Sequence, residues 1–295
     1  MAFLHKFASD KSESDKQRSR IPYLLLAPGI LWLALFFLLP IYKLFQTSTQ
    51  TPGVNIGEYI QSYRFANFID SFSGASTQFF RSFLYAAIAT VIALLISYPL
   101  AYAIAFKSGK WKNILLVLVV APFFVSFLLR TIAWTQILGE QGLVIKTLRS
   151  LHLIGYNTHL TASAFAVVAG ITYNFLPFMT LPLYASLERI DPKTLEASGD
   201  LYANAFTTFR KVTFPLSLPG VVAGTLLTFI PAAGDYVNAE ILGNPGTKMI
   251  GNVISARYLQ IVDYPGAASL SFILMATILI LVTLYVRRAG TEELV

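Results

Sequence analysis

Side chains able to do covalent, redox or metal chemistry are scarce in this sequence. There is no cysteine, so no thiolate nucleophile, disulfide or Cys-based metal site is available. The histidines, His5, His152 and His159, are scattered, and no H-E-x-x-H or similar ligand spacing gathers them into a metal site. A G-x-x-x-x-G-K-[ST] phosphate cradle is missing as well, because Gly109-Lys110 is followed by Trp111. The chain is therefore not expected to be an enzyme or to hydrolyse ATP itself. Between Ser71 and Leu187 the only acidic residue is Glu140. Carboxylates then regroup in two places: Asp191, Glu196 and Asp200 in one segment, and Asp235 and Glu240 around Tyr236 in another. Without a thiolate or a metal site beside them, such groups can cap helices, grip a partner or attract a cation.

The elements that must position these residues follow from composition. Of 295 residues, 55% are hydrophobic and 13% charged, about half the charged share of a soluble globular chain. Much of the surface must face lipid. Stretches of roughly 20 apolar residues can cross a bilayer core, and the expected spans are 21–42, 83–106, 113–136, 162–187, 216–234 and 267–286. The expected fold is all-α, a polytopic membrane protein of six transmembrane helices over 21–288. Segment 1–20 reads as a solvated tail without a signal-peptide cleavage site, and 289–295 as a short second tail. Spans four and five carry Asn174, Pro177, Pro219, Pro231 and Gly234, which points them toward the bundle interior, where neighbours satisfy freed polar groups.

Positive charge orients the chain. With the N-terminus inside, 14 of the 22 Lys and Arg fall on cytoplasmic segments, among them Lys107, Lys110, Arg189, Arg210, Arg287 and Arg288. Both termini are then cytoplasmic. The net charge of +7 is spread along membrane flanks, not clustered with interleaved aromatics, so a nucleic-acid partner is not expected.

The cytoplasmic segment 190–215 is the most informative. Asp191 can cap a helix whose first residue is Pro192. Leu195, Ser198 or Gly199, and Tyr202 fall at a spacing that shares one helical face. Ala197, Ser198 and Gly199 keep the surface shallow enough for another protein to approach. A second short helix, 206–212, is expected after a turn near Asn204, with Pro215 and Pro219 punctuating the entry to span five. Spacing alone favours an amphipathic helix at the lipid surface.

The pattern as a whole resembles the EAA loop of ABC importer permeases. Glu196, Ala197 and Ser198 stand at E-A-A, Asp200-Leu201 follow, and Val212 and Phe214-Pro215 keep the downstream spacing with Phe for the usual Leu. The position of the motif glycine holds Tyr202, while Gly199 comes three residues early. Either Asn204 then takes the left-handed turn, or the first helix ends elsewhere. The resemblance runs from about Arg81 to Arg288 and is nearest to the spermidine/putrescine branch of these permeases. It is carried by Tyr98-Pro-Leu-Ala-Tyr102, by 122–134 with Arg130 and Trp134, by 138–142, by 229–243 and by 249–253; permeases for thiamine, ferric iron and phosphonates share much of the plan.

This resemblance implies the type I importer fold in a bacterial inner membrane and a division of labour. An ATPase dimer binds ATP and Mg, and a second permease subunit and an extracytoplasmic substrate-binding protein complete the assembly. Residues 190–215 would dock on the ATPase through Leu195, Glu196, Ala197, Ser198, Gly199, Asp200 and Tyr202. No cofactor or metal is expected in the chain itself. A polycation's path should offer carboxylates, aromatic faces and carbonyls. Candidates are Asp235, Tyr236 and Glu240 near the outer end of span five, with Tyr173 and Asn174 in span four. The same acids could instead cap a re-entrant loop or touch the binding protein, and Asn174 could be interhelical glue. Arg130, about 26 Å along span three, is expected to snorkel at the outer interface and pair with an acid or a helix end; Trp134 reads as an interfacial anchor. A secondary carrier or a membrane-embedded enzyme would need acids or histidines inside the spans, and these are missing.

Overall fold

The structure, a computed structural model, describes residues 23–289 apart from 56, 153–154 and 156–158. The two tails, except Ala289, and the first two residues of span one lie outside the described residues. The chain is helical almost throughout. Helix α1 (Tyr23–Ser48) is apolar on every side, and none of its most apolar window is covered by the rest of the chain. Its second half packs against α11, and its last residue, Ser48, accepts from Asn67 Nδ2 of the next helix at 3.0 Å. A hairpin of β1 (Gln50–Pro52) and β2 (Tyr59–Gln61) follows, pairing Thr51 with Ile60.

Helix α2 (Ala66–Phe106) has 41 residues, about 60 Å at 1.5 Å per residue, twice the hydrocarbon thickness. The expected span 83–106 is its apolar end. Asn67, Asp70 and several serines keep the first turns out of any apolar window, although nothing there breaks a helix.

Span three is not the straight helix that 113–136 suggested. It is α3 (Gly109–Phe124) followed by α4 (Phe127–Ile137), bent by 96°. The break has a local cause. A tight turn over Ala121–Phe124 encloses Pro122 and closes with Val125 N–H donating to Pro122 O. Val125 and Ser126 are then extended, at ψ 136° and 138°. A short helix, α5 (Leu143–Ser150), leads on.

Helix α6 (Ala164–Glu188), with Ser163 as its cap, matches span four within two residues at its start. Helices α7 (Pro192–Asp200) and α8 (Ala205–Ala233) follow. The short piece expected over 206–212 is not separate but merges into α8 through one wide turn, in which Phe214 N–H bonds Phe209 O. That register shift carries the helix past Pro215 and Pro219. Beyond α8 come α9 (Val237–Leu242), α10 (Ile250–Ala256) and α11 (Tyr264–Ala289).

Helices α2, α6 and α8 pack on one another as the heart of the bundle. One core half holds Ala93, Met179, Leu183, Leu187 and Val221, the other Ala89, Val167, Ile171, Phe175, Ala232 and Leu242. Gly220 and Gly224, four apart on α8, let its backbone approach α6. An added Cβ at Gly220 would lie 2.7 Å from Pro182 O, and one at Gly224 3.0 Å from Met179 O. In lipid, where apolar area alone does not drive helix pairing, such close approach does.

Candidate functional site

At one end of the bundle, α7 forms as its sequence dictates. Pro192 has no N–H to leave unsatisfied at the first turn, and Asp191 accepts a hydrogen bond from Lys193 N–H at 2.9 Å. Leu195 packs partly buried against the core near Leu187 and Ile190. Ser198 is buried; its hydroxyl lies 2.7 Å from Leu195 O and 2.8 Å from Thr208 Oγ1, which ties α7 to the start of α8. Glu196, Ala197, Gly199 and Asp200 are all exposed. Neither Glu196 nor Asp200 forms an ion pair among the described residues.

Tyr202 does not share the face of Leu195 and Ser198. It lies past the end of α7 and is 99% exposed. Neither expected solution of the missing glycine holds. Asn204 has φ −73° and caps α8 by accepting from Thr207 N–H at 2.8 Å. Tyr202 itself takes the left-handed conformation, with φ +58°. Its N–H bonds Gly199 O at 2.9 Å, and Ala203 N–H bonds Ser198 O at 3.1 Å. These two bonds are the Schellman pair that usually ends on glycine, and a non-Gly residue there costs ~1 kcal/mol.

At the opposite end, three elements converge on buried amides. Asp235, 7% exposed, lies just beyond α8. Its Oδ1 accepts from Asn238 N–H at 2.8 Å and its Oδ2 from Asn238 Nδ2 at 2.7 Å, so both oxygens hold the first turn of α9. Burial pushes the Asp235 carboxyl up to about 6, against the lowering effect of the Asn238 bonds. Asn238 Oδ1 in turn accepts from Asn174 Nδ2 of α6 at 3.1 Å and from Thr131 Oγ1 of α4 at 3.3 Å. Asn174 Nδ2 also reaches Thr131 Oγ1 at 3.2 Å, while its Oδ1 is buried without a partner.

The structure thus joins two of the predicted residues, Asp235 and Asn174, through two that sequence reasoning missed, Asn238 and Thr131. Gly170 belongs to the same site, since a Cβ there would meet Asn238 Oδ1 at 2.8 Å. An asparagine set between Asp235 and Glu240 was the available signal. The other candidates stay apart from this cluster. Glu240 is exposed, accepts from Asn252 Nδ2 at 2.8 Å and lies 3.8 Å from Lys248 Nζ. Tyr236 is exposed. Tyr173 stands edge-on to Trp134 at 5.6 Å, and both line an apolar cavity of about 380 Å³ with Phe165 and Ile96.

Arg130 departs from expectation. The 96° bend turns the chain after Phe124, so the six residues on to Arg130 do not continue along the line of α3. Arg130 is 9% exposed, and its guanidinium lies 5.9 Å from the Phe123 ring and 5.7 Å from that of Phe127. It neither snorkels nor pairs with an acid among the described residues; Nε and Nη1 are buried without partners. Cation–π attraction across the break takes the place of an ion pair. Trp134 is half-buried against the core near Val168.

Residues 97–289 match the family described as "binding-protein-dependent transport system inner membrane component". The chain is 34% identical to the spermidine/putrescine transport system permease protein PotB of Haemophilus influenzae over 87% of its own length and 90% of that protein's. It is also 34% identical to the inner membrane ABC transporter permease protein YdcU of Escherichia coli, over 72% of this chain and 71% of the relative. Among solved structures, a bacterial ABC transporter involved in import of the acidic polysaccharide alginate matches 96% of this chain and 99% of its own. Its TM-score is 0.70 at 17% identity, a likeness of fold.

Proposed function

The chain belongs to the binding-protein-dependent inner-membrane transport family, as a permease subunit of an ABC importer, and from that premise we propose that it imports polyamines of the spermidine/putrescine class by alternating access. The observation that carries the coupling half is α7: a capped helix anchored by Leu195 and Ser198 that leaves Glu196, Ala197, Gly199 and Asp200 free on its outer surface. A surface anchored on one side and unpaired on the other suits a docking element. In this reading the ATPase dimer binds ATP and Mg, and its closure moves α7. Because α7 is tied to α8, and α8 packs closely on α6 through Gly220 and Gly224, the spans rock as one body from inward- to outward-open. A second permease subunit completes the pore, an extracytoplasmic binding protein delivers the ligand, and both termini are cytoplasmic.

The substrate half rests on PotB of Haemophilus influenzae and its coverage. A polycation leaving its binding protein would meet Tyr236 and Glu240 first, since both are exposed at the end opposite α7. The rings of Tyr173 and Trp134 then offer cation–π faces along α6. Asp235 and Asn174 contribute less directly, by holding α9 against α4 and α6. Uptake of labelled spermidine in a deletion strain carrying this chain tests the reading, with unlabelled putrescine, thiamine, ferric iron and a phosphonate as competitors. Putrescine and spermidine should compete; competition by one of the others alone assigns the importer to that substrate.

A further inference from the structure

Where α6 ends and α8 enters the bundle, the two helices part. At Gly220 they still touch, since an added Cβ there would lie 2.6 Å from Ser186 Cβ. One turn before Gly220 a cavity of about 320 Å³ opens, walled by Ser186, Arg189, Asp191, Thr194, Leu216 and Pro219. Its size is at the lower end of small-molecule sites. Its polar groups are unused within the chain. Among the described residues, the Arg189 guanidinium and the hydroxyls of Ser186 and Thr194 have no hydrogen-bond or ion-pair partner. Asp191 accepts from Lys193 N–H with Oδ1, which leaves Oδ2 open. Arg189 and Asp191 face the same cavity without pairing with each other.

Position and charge together limit what fits. Arg189 is the first residue past the apolar helix α6, and Leu216, 49% exposed, opens the expected span 216–234. The cavity therefore stands at headgroup level, with an apolar wall of Leu216 and Pro219 on the side of the span. The exposed charges around it are close to balance: Arg189, Lys193, Arg210 and Lys211 against Asp191, Glu196 and Asp200. Glu188 is paired with Lys112. Inside the cavity a plain anion would meet the Asp191 carboxylate, and a polycation would meet the Arg189 guanidinium. A zwitterion satisfies both.

We propose that this cavity binds the headgroup of a zwitterionic phospholipid of the phosphoethanolamine type. The planar fork of Arg189 takes the phosphate, and the Ser186 and Thr194 hydroxyls donate to it. Asp191 Oδ2 accepts from the ammonium, while the acyl chains leave past Leu216 along α8. The bound headgroup then ties the first turn of α7 to α6 and α8. The inference is independent of what α7 docks on.

Native mass spectrometry of the purified whole transporter, delipidated and then titrated with phosphatidylethanolamine or with phosphatidylglycerol of the same chains, reads the site. Wild type should retain phosphatidylethanolamine about tenfold better, as a charge-assisted hydrogen bond to the ammonium requires. Asp191→Asn keeps the helix cap, because asparagine caps as well as aspartate, and should abolish that preference while still holding phospholipid. Arg189→Gln should weaken both lipids about tenfold, with Arg189→Lys, which keeps the charge and loses the fork, in between. Equal retention of the two lipids by wild type overturns the proposal, and so does unchanged retention in the Asp191 and Arg189 variants. Displacement of the lipid by soluble phosphoethanolamine at matched concentration assigns the cavity to a water-soluble ligand and overturns the lipid as its source. Retention that appears only after the ATPase has been stripped means that protein covers the cavity in the assembly, which overturns the proposal as well.

Discussion

The α7 hairpin and the amide cluster at the opposite end each gather carboxylates and small polar groups, yet they turn them in opposite directions. Asp235 is buried, and both its oxygens are taken by Asn238. Glu196 and Asp200 are exposed and unpaired among the described residues. The cluster directs polar chemistry inward, joining α4, α6 and α9 where lipid would leave an amide unsatisfied. The hairpin satisfies its backbone with local caps and leaves Glu196 and Asp200 exposed. An acid near the end of a span therefore has no fixed meaning; its surroundings decide whether it holds the fold or stands in the open.

Substitutions can break that contrast. The largest effect expected is on transport: Glu196→Lys should reduce uptake to background while membrane levels and the thermal midpoint in detergent stay at wild type. A variant that unfolds easily would make Glu196 structural and erase the distinction. Asn238→Ala should do the reverse, because it strands the Asp235 carboxylate and frees Asn174 and Thr131. Each buried group left unpaired costs ~1–3 kcal/mol, read as a fall of several degrees in thermal midpoint.

A pH series sharpens the same contrast at smaller scale. Asp235 has its carboxyl raised to about 6 in the fold from an ordinary value of 3.8. The folded state thus favours the protonated form, and stability should be lost as pH rises from about 4 through 6. Asp235→Asn should remove that increment, so midpoints measured at pH 5 and 7.5 should differ less in the variant than in wild type. The smallest effect is expected from Ser198→Ala, which removes the link to Thr208 Oγ1 for ~1 kcal/mol; its uptake should fall less than that of Glu196→Lys.

Legibility differed between the two ends for the same reason. The start of α7 could be read directly, because Asp191, Pro192 and Lys193 act on one another across two residues. Its end could not. Tyr202 has no intrinsic taste for the left-handed region, and only the pull of two backbone bonds to Gly199 and Ser198 places it there. Span three shows another blind spot. Apolar residues continue on both sides of Val125, and hydropathy reports how apolar a segment is, not which way it points. Pro122 was visible, but its consequence, a 96° bend that buries Arg130 over two rings, depends on what packs around the break. The amide cluster was the hardest to foresee. Thr131, Asn174 and Asn238 are separated by 43 and 64 residues, and a lone Asn in a span looks the same whether or not a partner faces it.

What the sequence determined by itself is whatever depends on composition and near neighbours: a lipid-facing all-α chain, the apolar stretches at span lengths, the capped helix after Asp191 and the lack of cysteine and of a G-x-x-x-x-G-K-[ST] pattern. What only the tertiary structure decided is where polar groups meet. In a bundle whose surface faces hydrocarbon, an amide must find its partner on another helix. That choice is made by close backbone approach at Gly170, Gly220 and Gly224 and by the break after Phe124, and neither has a signature in local hydrophobicity.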